Sequence, residues 1–118
     1  EGWIRSLDQP FLDQYFPGVF VDVEGTLLDE EGVLKKDVLQ MVQELSVGRP
    51  IAVWTGGHVD DITPELRALG IKWKIVSKHD LAGAEVEEAI DDLPKEVFEQ
   101  EYKIRTRIYH CIENNDNA

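Results

Sequence analysis

The chain has 118 residues, 42% of them hydrophobic, and carries 24 acidic against 12 basic side chains, for a net charge of −12. That length and apolar content build one compact domain rather than a disordered chain, and the acidity opposes binding to a phosphate backbone, so nucleic acid is not an expected partner. A single cysteine, Cys111, leaves no internal disulfide and no zinc cluster of Cys/His spacing, and no apolar run nears the ~20 residues of a membrane-spanning helix.

The lone thiol fits a reducing compartment, so a cytoplasmic location is expected. Along the chain, residues 1–18 combine the breakers Pro10, Pro17 and Gly18 with Trp3, Phe11, Tyr15 and Phe16. So many aromatics predict an arm packed on a domain that spans residues 19–112. The first strand is "VFVDV", residues 19–23, and it runs into Glu24 and Gly25. Residues two apart on a strand share a face, so Asp22 and Glu24 are expected side by side. Two such carboxylates repel, and burial raises the cost, so water, a basic neighbour or a bound cation must offset them.

Gly32 in "LLDEEGVL" predicts a tight turn between short extended pieces. Leu34, Val38, Leu39, Val42 and Leu45 recur at helical spacing, with Gly48 as a stop. "PIAVWTGG" is a second strand ended by Thr55, Gly56 and Gly57. Residues 59–69 form a second helix stopped by Gly70, with its start drawn toward Thr63 so that Pro64 falls in the first turn. "IKWKIVSK" is the third strand, ending at Lys78.

Glu85, Glu87 and Glu88 suit a central strand poorly, so the fourth strand is expected to be short, residues 89–91, followed by Asp92. In "IRTRIYHCI", Ile104, Thr106 and Ile108 alternate with Arg105, Arg107 and Tyr109, as on an edge strand. "ENNDNA", residues 113–118, reads as a disordered tail. "EVEE" reads as a solvated face, Trp54 and Trp73 as core, and His58, His79 and His110 as incidental.

Strands alternating with helices imply a parallel sheet covered on both faces, with ligands beyond the carboxyl ends of the strands. Those ends carry Asp22 and Glu24, then Thr55, then Lys78, then Asp91 and Asp92. Together they suit phosphoryl transfer. An aspartate can attack phosphorus. Mg2+, held by one or two carboxylates, keeps the anions from repelling. A lysine neutralises the transferring oxygens, and a threonine with helix-start N–H groups binds another. Glu24 is placed to protonate the leaving oxygen and then activate water. Each feature also has a plainer reading. Asp22–Glu24 and Asp91–Asp92 suit strand-to-loop turns, Thr55 suits a helix N-cap, Gly56 and Gly57 relieve backbone strain, and Lys72 or Lys74 could stand in for Lys78.

"VFVDVEGTLL" resembles motif one of the haloacid dehalogenase (HAD) superfamily, an apolar strand followed by Asp-x-Asp-Gly-Thr-Leu. "IAVWTGG" is similar to motif two, Lys78 in "IVSKHDL" to the motif-three lysine, and "AIDDLP" to the acidic motif four. The resemblance covers residues 19–112. It implies a three-layer, Rossmann-like α/β fold with a mainly parallel five-stranded sheet in the order 3-2-1-4-5. It also implies an Mg2+-dependent phosphatase with Asp22 as nucleophile, Thr55, Gly56 and Lys78 at the phosphate, and Asp91 or Asp92 on the metal beside Asp22. The backbone carbonyl of Glu24 would reach the same metal. Glu24 departs from the family's usual Asp, which points to impaired turnover or to a HAD-like binding or regulatory module. A receiver-type phosphoacceptor domain is disfavoured, because its acid pair precedes the Thr and Lys. The intervals before and after Thr55 leave no room for a cap domain, so the site is expected to be open to a phosphorylated small molecule or macromolecule, or to be covered by a second copy.

Overall fold

The computed structural model describes residues 18–112, so the expected arm (apart from Gly18) and the expected tail lie outside the described residues. The described elements are β1 (Val19–Asp22), α1 (Lys36–Leu45), β2 (Ile51–Thr55), α2 (Val59–Ala68), β3 (Lys74–Ser77), a 3-10 turn (Lys78–Leu81), β4 (Glu85–Asp91), α3 (Lys95–Tyr102) and β5 (Arg105–Cys111). All strand pairings are parallel, and the sheet runs β3-β2-β1-β4-β5.

The expected alternation of strands and helices, and the expected strand order, are both observed. β1 lies at the centre and is buried along its whole length, so it carries apolar residues on both faces. Its odd residues Val19 and Val21 join Val53 of β2 and Ile90 of β4 beneath Val38 and Val42 of α1 and Ile62 and Leu66 of α2. Its even residue Phe20 joins Ala52, Trp54 and Val76 beneath Phe98 of α3. Asp22 has the parity of Phe20, which brings it to the α3 side at the carboxyl end of the sheet. The expected turn at Gly32 is present. Leu28 and Leu34 form an antiparallel bridge, and Gly32 adopts φ +81°.

Five expectations change. β3 spans only Lys74–Ser77, so Ile71 to Trp73 and Lys78 of the expected strand lie outside it. β4 begins at Glu85, not Ala89. Its acids are accommodated because they are paired: Glu88 with Arg49 at 2.8 Å and with His110, Glu87 with Arg49 at 3.3 Å, and Glu85 with Arg107 at 3.5 Å. Burial would raise the Glu88 pKa, but hydrogen bonds from His110 and Arg49 outweigh it and hold the carboxyl below its ordinary value. Glu88 and His110 are therefore structural partners rather than a solvated acid and an incidental ring.

The second helix starts at Val59, with Pro64 inside it. Pro64 removes only the bond to the Asp60 carbonyl, and both residues are exposed. Thr63 Oγ1 donates to the Val59 carbonyl in the same turn, at 2.7 Å. Along the expected last strand, Ile104, just before β5, and Thr106 are buried, but Ile108 is 45% exposed. Val86 and Ala89, three apart, both face the Phe98 cluster, and Tyr109, opposite Ala89, packs there too. The alternation thus slips by one residue, which turns Ile108 outward. Finally, α3 was not anticipated. It buries Phe98 and packs Tyr102 four residues on, while Val97 is 46% exposed.

Phe98 contacts Trp54, Tyr102 and Tyr109 with ring centroids 5.2, 5.6 and 5.3 Å apart. Phe98→Ala should therefore cost about 3–5 kcal/mol in urea unfolding; a loss below about 1 kcal/mol would show that this cluster does not hold α3 to the sheet.

Candidate functional site

β1 ends at Asp22 because the chain turns sharply there. The Leu27 amide donates to the Asp22 carbonyl at 3.2 Å, the Leu28 amide donates to the Val23 carbonyl at 2.9 Å, and Gly25 takes φ +80°. The turn carries Thr26 back so that its Oγ1 donates to Asp22 Oδ2 at 2.9 Å. The other oxygen, Oδ1, lies 2.8 Å from Lys78 Nζ. Lys78 opens the 3-10 turn after β3, and its ammonium also lies 2.8 Å from Asp91 Oδ2, at the end of β4. Asp91 Oδ1 accepts from the amides of Asp92 and Leu93 at 2.8 and 3.2 Å, while Oδ2 meets no hydrogen-bond partner among the described residues beyond that ion pair.

Asp22, Lys78 and Asp91 are each no more than 2% exposed. Buried ions must be paired, and here two carboxylates share one ammonium. Burial pushes Asp22 up to about 8; Lys78 opposes the rise and Asp91 adds to it. Asp91 is likewise raised by burial, against Lys78. Burial would lower Lys78, but the two carboxylates outweigh it and raise its pKa. The group carries surplus negative charge, which a proton or a second cation would balance. Oxygens of Asp22, Asp91 and Asp92 all lie within 4.8 Å of one another. An all-carboxylate set beside an underused buried oxygen fits a hard divalent ion such as Mg2+.

Glu24 does not join that set through its carboxylate. Beyond the end of β1, Glu24 lines the same opening as Asp22, and its carboxylate accepts from Thr55 Oγ1 at 3.1 and 3.0 Å. Thr55 also accepts from the Gly57 amide at 3.0 Å. It is not the N-cap of α2, a position held by His58. Of the three lysines considered, Lys78 comes to the site, while Lys72 and Lys74 are exposed. Asp22, Glu24, Gly56, Gly57, Lys78, Asp91, Asp92, Leu93 and Tyr102 line a cavity of about 230 Å³, so the residues expected to converge share one opening except Thr55, which is fully buried behind Glu24 and Gly57. A larger cavity, about 470 Å³, lies at the amino ends of β4 and β5 among Glu85, Glu99, Lys103 and Arg105. There Glu85 pairs with Arg107, Glu99 accepts from the Thr106 amide and Lys103 donates to the Gln100 carbonyl.

Tyr102 and Leu93 of this opening, and His79 beside Tyr102, were not anticipated as site residues. Tyr102 sets its ring 4.6 Å from the Lys78 ammonium. His79 packs against that ring, and its Nε2 lies 3.2 Å from the Gly56 carbonyl. The spacing of Phe98 and Tyr102 was the available signal, since it marks one face of a short helix after Pro94. No family model, curated protein or solved structure matches the chain. No helix among the described residues is long and apolar enough to cross a membrane.

The raised Asp22 pKa gives a signed pH dependence. A carboxyl whose pKa is higher folded than unfolded binds more proton in the folded state between the two values, here 3.8 and about 8. Its stabilising contribution is full below that interval and is lost as pH rises through it. Metal-free protein should therefore lose urea resistance between about pH 5 and about pH 8, by at most about tenfold in the folding constant per pH unit from this group. Asp22→Asn should flatten the slope; equal slopes in the two proteins would contradict the assignment.

Proposed function

We propose that the chain is a HAD-like hydrolase, a phosphatase that uses Mg2+ and an aspartyl-phosphate on Asp22. The observation that carries this reading is the meeting of Asp22, Lys78, Asp91 and Asp92 from β1, the turn after β3 and the end of β4. A buried carboxyl nucleophile needs its charge stabilised, and Lys78 lies against its oxygen. Asp22, Asp91 and Asp92 would hold Mg2+, whose charge would offset the repulsion between carboxylate and phosphate.

In the proposed reaction an Asp22 oxygen forms a bond to phosphorus as the ester oxygen leaves, taking a proton from Glu24. Water then attacks the acyl phosphate. Glu24 takes its proton, phosphate departs, and Asp22 returns as carboxylate. Lys78 and Asp91 keep Asp22 in place throughout. For Glu24 to reach the leaving oxygen it must release Thr55, which frees that hydroxyl for a phosphoryl oxygen. The substrate class is a phosphate monoester, borne by a small molecule or a macromolecule.

The Glu24–Thr55 bond also favours a second reading, a HAD-like module that binds phosphate with little turnover. The carboxyl of Glu24 extends about one C–C bond, ~1.5 Å, beyond that of an Asp, and a misplacement of ~1 Å can cost about a hundredfold in rate. With an aryl phosphate and Mg2+, Asp22→Asn should abolish hydrolysis and Glu24→Asp should raise it. A lower rate for Glu24→Asp would refute the assigned role of position 24. The absence of turnover on a broad panel of phosphate esters would favour the module.

A further inference from the structure

The side-chain donors around the cavity divide into engaged and available ones. The single hydroxyl proton of Thr55 is directed to Glu24. The Lys78 ammonium is held by Asp22 and Asp91. The Tyr102 hydroxyl has no polar partner among the described residues, yet Tyr102 lines the same cavity. Its position is fixed by contacts to Phe98 and His79 and by the Lys78 ammonium over its face. Gly56 makes room for it. A Cβ at position 56 would sit 2.6 Å from the Tyr102 oxygen but 3.4 Å or more from the ring carbons. The hydroxyl therefore lies directly over the Gly56 backbone, where β2 ends and the expected phosphate seat begins.

We propose that Tyr102 is a ligand-contacting residue of this site, its phenol donating a hydrogen bond to an oxyanion seated over the Gly56–Gly57 turn. This rests on the phosphate reading given above and adds to it a residue that α3, rather than the strand ends, contributes. Burial, opposed by Lys78, raises the phenol pKa, so the group stays a donor at neutral pH. The absence of a side chain at Gly56 then has a specific cause, which is to admit the Tyr102 hydroxyl. The ring holds the Lys78 side of the pocket and the hydroxyl serves the ligand, so the two roles can be separated by substitution.

The test is calorimetric titration of inorganic phosphate into the protein with Mg2+ present. Tyr102→Phe keeps the ring and should bind phosphate about tenfold more weakly, as expected for one lost hydrogen bond to a charged oxygen, with its urea midpoint unchanged. Gly56→Ala should weaken binding comparably in the parent, because the new methyl displaces the hydroxyl. The same change should cost little in a Tyr102→Phe background, where only ordinary contacts remain. Parent-like phosphate affinity in Tyr102→Phe overturns the inference and leaves the phosphate reading standing. If the parent itself binds no phosphate with Mg2+, that reading falls and the inference falls with it.

Discussion

The structure turns on one lysine held between two aspartates. Lys78 is almost fully buried, and its ammonium lies 2.8 Å from carboxylates on β1 and β4. Removing three ions from water is costly, and one cation cannot neutralise two anions. The arrangement persists because it is braced on several sides. Thr26 donates to Asp22, the amides of Asp92 and Leu93 donate to Asp91, and the rings of Tyr102 and Phe98 lie 4.6 and 5.7 Å from the ammonium. What the bracing leaves uncompensated is negative charge. That surplus links the burial of Asp22, its raised pKa and the affinity proposed for a divalent ion.

The aromatic layer under α3 connects this charge cluster to the fold. Phe20 stacks on Trp54, Trp54 meets Phe98 of α3 at a tilt, and Tyr109 extends the layer to the edge strand. The Tyr109 hydroxyl donates to the Leu93 carbonyl at 2.6 Å, which ties β5 to the loop that presents Asp91 and Asp92. On the other face, the apolar contacts of α1 and α2 hold β1 and β2 in register, so Asp22 and Thr55 emerge at the same edge. Site and core are thus one construction. Helices fix the strands, strand ends fix the acids, and the acids fix the lysine.

The parts legible in the sequence were those written in local pattern. Apolar runs ending in polar residues marked β1, β2 and β3, and the order of Asp22, Thr55, Lys78 and Asp91 along the chain mapped directly onto the carboxyl edge of the sheet. The less legible parts depended on distant partners. Glu88 looked unfit for a strand because Arg49 and His110, which pair with it, are far away in sequence. The bond between Glu24 and Thr55 was hidden for the same reason, since its partners are separated by 31 residues. α3 escaped notice because so short a helix has few apolar residues to repeat, and Tyr102, its contribution to the site, went with it.

The central claim is that the surplus charge of the Asp22–Lys78–Asp91 cluster, together with Asp92, forms a seat for a divalent cation. Crystals grown with Mn2+ as a stand-in for Mg2+ would test it through the anomalous difference map. The account predicts a peak within coordination distance of carboxylate oxygens from Asp22 and from Asp91 or Asp92, with Lys78 still beside them. An empty map at that position in protein saturated with Mn2+, or a peak only at surface acids, would contradict it.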